Sequence, residues 1–143
     1  MKKLVLLTAL WSLLLISPLA AKDDDYSAIE ATVFNYFDGY KAGDRARLNR
    51  AFDLKTGRMM TAQKQEDGSD AMTVWPITDV IDGWVKKGPR TDDMVGKILS
   101  VDIAGSQIAT VTFDFNGAYT DILTLAKIGD DWKIVNKLFI TLE

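Results

Sequence analysis

The chain of 143 residues contains no cysteine and no histidine. Without cysteine there is no disulfide, no thiolate metal ligand and no lipid-modified cysteine behind a leader. Without histidine, Ser–His and Cys–His nucleophile pairs cannot form within the chain. Acid–base chemistry must then come from Asp, Glu, Tyr or Lys. Positive charge is also scarce, with 17 Lys and Arg against 20 Asp and Glu. A chain with that balance and no basic cluster has little with which to hold a phosphate backbone, so nucleic acid is not among the expected partners. There is no glycine-rich phosphate loop, no Gly-x-Ser-x-Gly elbow and no calcium-loop spacing of carboxylates. No metal and no cofactor is expected.

What is present begins with a leader-like segment. Lys2 and Lys3 precede an apolar run from Leu4 to Ile16, followed by Ser17-Pro18 and Ala20-Ala21. These are the charged, apolar and small-residue parts of a secretory signal, with cleavage expected after Ala20 or Ala21. The run falls short of the roughly 18 residues that a spanning helix needs, so no stable membrane anchor is expected. The expected organisation is a signal peptide over residues 1–21 and one domain over residues 22–143, in a periplasmic or secreted location. Loss of Lys2 and Lys3 leaves 15 basic and 20 acidic residues, a net charge of −5 on 122 residues. That length suits a single core.

Lys22 to Tyr26 reads as a solvated lead-in. Ser27 and Glu30 have the form of a capping box, and Ile29, Val33, Tyr36, Phe37 and Tyr40 then recur at helical spacing. Gly43 is a natural stop, and Asp44 can cap a second helix through about Phe52 that buries Leu48, Ala51 and Phe52. Glu66 to Asp70 is a turn between two strands, the second broken by Pro76. Thr78 is expected to cap a third helix carrying Val80, Ile81, Trp84 and Val85 and ending near Gly88.

The last fifty residues predict a four-strand meander over about 95–103, 107–115, 118–128 and 132–142. Val95, Leu99, Val101 and Ile103 alternate on one face of the first strand. Ala109, Val111, Phe113 and Phe115 do so on the second. Asn116-Gly117 predicts a two-residue type I′ turn that sets Phe115 opposite Ala118. That register places Thr120, Ile122, Thr124 and Ala126 on the inner face. Tyr119, Asp121, Leu123 and Leu125 then face outward. Outward leucines need a cover, so a homodimer packing sheet on sheet is expected. The fold class is α+β, three helices on a curved, mainly antiparallel sheet.

The last strand leaves two registers open. One turns Trp132, Ile134, Asn136 and Leu138 inward, the other Val135, Lys137 and Phe139. A slip of one residue exchanges the faces, so a regular strand allows only one. The turn Gly129-Asp130-Asp131 and the pair Asp92-Asp93 read as loop charges. The candidate binding residues are Tyr36, Tyr40, Trp75, Phe113, Thr120, Thr124, Asn136 and Lys137.

The stretches NYFDGYKAGDRARLNRAF (Asn35–Phe52) and YTDILTLAKIGDDWKIVNKLF (Tyr119–Phe139) resemble the nuclear transport factor 2-like superfamily. Within it, the chain is most similar to the putative lumazine-binding family. The resemblance implies a cone of curved sheet around a pocket. Steroid isomerases of that superfamily use a helix tyrosine, a base Asp and an acid Asp. Here Tyr36 matches the tyrosine, while the base position falls near Met60 or Thr61 and the acid position near Thr124. Many lumazine-like members carry His-Pro where this chain has Phe52-Asp53-Leu54, and Asp53 is the substitute to consider.

The expected function is that of an exported domain binding a small apolar or heterocyclic ligand without catalysis. The alternatives are an isomerase- or dehydratase-type enzyme using Tyr36 with Asp53 or Lys137, and a homodimeric assembly domain without ligand.

Overall fold

The computed structural model describes residues 18–142, with side chains described from Asp24 onward. Nearly all of the expected leader lies outside the described residues. Helix α1 runs Pro18–Ala42 and α2 Arg45–Ala51, followed by strands β1 (Arg58–Lys64) and β2 (Asp70–Pro76). Helix α3 (Ile77–Lys86) leads to the meander β3 (Gly96–Ala104), β4 (Ile108–Phe115), β5 (Tyr119–Ile128) and β6 (Asp131–Thr141). The six strands form one sheet in the order β2-β1-β6-β5-β4-β3, antiparallel except where β1 meets β6. Among the described residues no helix is long and apolar enough to cross a membrane.

The helical stripe read from the sequence packs as expected. Ile29, Val33, Tyr36 and Phe37 of α1 are buried with Leu48, Ala51 and Phe52 against Val111, Phe113, Leu123, Leu125 and Ile134 of the sheet. Gly43 ends α1 in the left-handed region at φ +63°. Its amide donates to the Tyr40 carbonyl (3.2 Å) and the Asp44 amide to that of Gly39 (2.8 Å), which satisfies the last turn. A side chain at Gly43 would also place Cβ 2.9 Å from the Gly88 carbonyl carbon. Asp44 caps α2 as expected, its Oδ1 accepting from the amides of Ala46 and Arg47.

Two other expected caps do not form. Ser27 lies inside α1, which has already begun at Pro18. Pro76, not Thr78, precedes α3, and its fixed φ of −55° makes the entry without a side-chain cap. In β3 an extra residue at Leu99 shifts the pairing between Ile98 and Ser100. The inward residues are therefore Ile98, Val101 and Ile103, while Val95 and Leu99 are exposed.

The largest correction is to the β4–β5 register. Asn116 and Gly117 both have positive φ, and the Ala118 amide donates to the Phe115 carbonyl, so the expected tight turn is made. Ala118 is nevertheless looped out of the ladder, and Phe115 pairs with Tyr119. That one-residue slip reverses every side chain of β5. Asp121, Leu123 and Leu125 face the helices with no exposed surface. Thr120, Ile122 and Thr124 take the other side. Exchanging Ile122 for two leucines on the inner face is worth about 2 kcal/mol net, which favours this register once Asp121 is paired. The outward leucines invoked for a dimer are in the core.

The expected solvated lead-in is also corrected. Asp25 belongs to α1 and is only 5 % exposed. Its Oδ1 accepts from Lys127 Nζ at 2.8 Å and Trp132 Nε1 at 3.0 Å, which ties the start of the described helix to the β5–β6 hairpin. The Lys127 hydrogen bond, then that of Trp132, holds the Asp25 carboxyl below its ordinary value of 3.8 despite burial. A folded-state pKa below the unfolded one stabilises the fold above the unfolded value, and the gain is lost as pH falls through the folded value. Asp25→Asn is expected to lower stability at neutral pH and to flatten the loss of stability below about pH 4. Urea titrations from pH 7 to pH 2 are the check, and an unchanged acid limb would show the carboxylate to be uncoupled from folding.

Candidate functional site

Three polar side chains meet beneath the curved face of the sheet. Helix α1 presents Tyr36, the corrected register of β5 presents Asp121, and β6 presents Lys137. The last depends on a bulge. Leu125 pairs with Ile134 but Thr124 with Asn136, so Val135 is an extra residue in β6. Before it Trp132 and Ile134 face inward, and after it Lys137 and Phe139 do. Each of the two registers read from the sequence is correct for half of the strand.

The Tyr36 hydroxyl donates to Asp121 Oδ2 at 2.8 Å, and Lys137 Nζ donates to Asp121 Oδ1 at 2.5 Å. Asp121 pairs with Phe139 across the ladder, which makes Lys137 its diagonal neighbour, within reach of a long side chain. Burial raises the Asp121 pKa, opposed by the charge of Lys137 and by hydrogen bonds from Lys137 and Tyr36. Burial likewise lowers that of Lys137, opposed by Asp121. Both directions narrow the gap between the ionised and neutral forms of the pair. Burial, then the charge of Asp121, pushes Tyr36 well above the usual range, so it stays a hydroxyl donor.

This triad lies at the floor of a pocket of about 210 Å³. Tyr36 and Lys137 reach the pocket surface, whereas Asp121 sits behind them with no exposure. Tyr40, Trp84, Phe115, Tyr119 and Phe139 form the walls, with Met59 and Lys87 on one side. Trp84 stacks on Tyr36 with centroids 5.8 Å apart, and the Arg90 guanidinium lies 4.3 Å over the Tyr40 ring from behind the wall. Lys137 Nζ is 4.5 Å from the Phe139 ring centroid and 5.7 Å from that of Tyr36, distances at which a cation is attracted by the ring faces.

The structure brings together Tyr36, Tyr40 and Lys137 of the candidate residues. Phe113 is core packing behind the pocket, 6.3 Å from Tyr36 between ring centroids. Trp75 lines a neighbouring cleft that shares Met59, Trp84 and Lys87 with the pocket. Thr120, Thr124 and Asn136 are on the opposite face of the sheet, because the β4–β5 slip and the β6 bulge carry them there. Asp53 accepts from the amide and hydroxyl of Thr56, a turn outside the pocket. Met60 pairs with Leu138 on the outer face, and Thr61 donates to the Phe139 carbonyl, so neither supplies a base. Asp121 is the residue the sequence reading turned the wrong way. Its shared parity with Leu123 and Leu125 was the available signal.

The sequence model of the putative lumazine-binding family matches residues 24–140. The chain belongs to that family. The fold agrees with its solved relatives. An NTF2-like protein of unknown function from Shewanella baltica superposes with a TM-score of 0.70 at 23 % identity, covering 85 % of this chain and 96 % of the other. A ketosteroid isomerase-like protein from Erwinia carotovora gives 0.59 at 16 % identity, covering 85 % and 98 %. A protein described as a putative scytalone dehydratase from Novosphingobium aromaticivorans gives 0.63 at 14 % identity, covering 87 % and 89 %. At these identities the likeness is one of fold alone. A comparison with curated proteins finds no significant match.

Breaking a buried ion pair leaves a charge without compensation, at a cost of about 3–5 kcal/mol, whereas replacing both partners costs far less. Asp121→Asn and Lys137→Met are each expected to destabilise by that order. The double variant should recover most of the loss in urea unfolding at pH 7. Additive losses would show that the two side chains do not act as a pair.

Proposed function

We propose that the protein binds a flat heterocyclic small molecule in this pocket without chemically changing it. The observation that carries the reading is the state of Lys137. Its ammonium has three N–H donors, yet among the described residues its one hydrogen-bond acceptor is Asp121. Its side chain is only 6 % exposed and lines a pocket walled by five aromatic rings. An acceptor oxygen on a planar ligand would satisfy a spare donor while its ring packs against the walls. The name of the family supports the same ligand class.

The isomerase or dehydratase reading has less support. Among the described residues no carboxylate lines the pocket, and both oxygens of Asp121 already accept hydrogen bonds behind it. Thermal-shift and calorimetric titrations with lumazines, flavins and sterols are expected to show saturable binding for the planar heterocycles. Lys137→Met in the Asp121→Asn background should weaken it at least about tenfold, the effect of losing one charge-assisted hydrogen bond. If no heterocycle binds saturably to the folded wild type, the reading fails.

The proposal extends to export and to a homodimer through the outer sheet face. With the core leucines removed from that argument, the outer face still carries an apolar row. Val74, Met60, Leu138 and Ile122 stand side by side across β2, β1, β6 and β5. A second copy would cover the row. Light scattering with intact-mass analysis of protein recovered from the periplasm should find a dimer of chains beginning at Ala21 or Lys22. A monomer overturns the interface, and chains retaining Met1 overturn the export.

A further inference from the structure

Lys137 is the one buried lysine among the described side chains, and every other is at least partly exposed. It is also an amine at the floor of an aromatic pocket, held 2.5 Å from a buried carboxylate. An arginine there would pair with Asp121 as well or better, but its guanidinium keeps its proton and offers no nucleophile. A lysine in a desolvated pocket is a group that can lose its proton and attack a carbonyl carbon.

The donor inventory of Lys137 suits a particular product. The ammonium has three N–H groups, and among the described residues Asp121 accepts one of them. A protonated imine on Nζ keeps one N–H and one positive charge, and Asp121 Oδ1 matches both. The carboxylate keeps its counter-charge, so the adduct leaves no buried charge unpaired. The walls of Tyr40, Trp84, Phe115, Tyr119 and Phe139 fit a flat conjugated group attached to the imine carbon.

We infer that Lys137 is a covalent acceptor for a flat conjugated aldehyde, held in the pocket as a protonated imine. The inference rests on the pocket reading above and adds a carbonyl to the ligand. The ammonium first passes a proton along its hydrogen bond to Asp121 Oδ1, leaving a neutral amine and a neutral carboxyl. Burial favours this exchange, because it lowers the pKa of Lys137 and raises that of Asp121. Tyr36 stays protonated behind the amine, and Lys87 is the other titratable group lining the pocket. The Nζ lone pair then forms a C–N bond to the carbonyl carbon, and the carbonyl oxygen takes a proton from that nitrogen. The Asp121 carboxyl returns its proton to the new hydroxyl, which leaves as water while the nitrogen lone pair closes the C=N bond. One ammonium and one aldehyde become one iminium and one water. Hydrolysis reverses the sequence and releases the aldehyde unchanged.

Quinoline-3-carbaldehyde and quinolin-3-ylmethanol share a flat heterocycle and differ in the carbonyl. Wild-type protein is incubated with the aldehyde and cyanoborohydride at pH 7, then read by intact mass and peptide mapping. The expected product carries a single quinolinylmethyl group on Lys137, formed at least about tenfold faster than on any other lysine because the pocket holds the two reactants together. Excess alcohol should suppress it, and the double variant Asp121→Asn, Lys137→Met should not form it. Labelling that is spread over exposed lysines, falls on Lys87, resists the alcohol or persists in the double variant overturns the inference. If the alcohol binds saturably but the aldehyde leaves no adduct on Lys137, the inference fails and the pocket reading stands. If neither compound binds, the inference fails and the heterocycle titrations above decide the pocket reading separately.

Discussion

Asp121 has no exposed surface, yet it stands where a core residue would be expected to be apolar. Its two oxygens accept from a helix on one side and from the adjacent strand on the other. An isolated carboxylate in that place would cost more than a domain of this size can spare, and would be driven to its neutral form. The Lys137 ammonium and the Tyr36 hydroxyl make the burial tolerable, but only if α1, β5 and β6 hold one arrangement. The dependence is mutual. The same contacts that neutralise Asp121 set the depth at which α1 crosses the sheet, and they aim Lys137 at the pocket.

Much of the architecture was legible because it rests on period and punctuation. Helical spacing from Ile29 to Tyr40, the stop at Gly43, the cap at Asp44 and the alternation along β4 are local signals, and the structure follows them. The site was less legible because it depends on register. Asn116-Gly117 does adopt the conformation its residues favour, yet the ladder leaves Ala118 out and pairs Phe115 with Tyr119. A turn rule specifies backbone angles at two positions. The buried leucines specify which side of a ten-residue strand faces the core, and that is the larger free energy.

The β6 strand shows a different limit. Trp132 and Ile134 argued for one register, Lys137 and Phe139 for the other, and the bulge at Val135 satisfies both sets. Nothing in WKIVNKLF marks an extra residue, since each half is a normal alternating strand. The conflict between the halves was itself the signal, because an irregular strand reconciles what a regular one cannot. Asp25 illustrates the third kind of gap. Its partners Lys127 and Trp132 lie more than 100 residues away in the chain. A cluster of aspartates near a terminus carries no local sign of such a contact.

The division of labour around the pocket follows from where the polar atoms are. Asp121 holds position and is shielded, whereas Lys137 is held by it and presented. Tyr36 contributes a hydroxyl already committed to Asp121 and a ring face that carries Trp84. A group fixed in this way would lose little further freedom in making a new contact, so more of the contact energy would appear as affinity. Placing the charge balance behind the wall also lets the wall itself remain mainly aromatic. The bulge at Val135 makes this possible: it turns Lys137 toward the pocket without taking Trp132 and Ile134 out of the core.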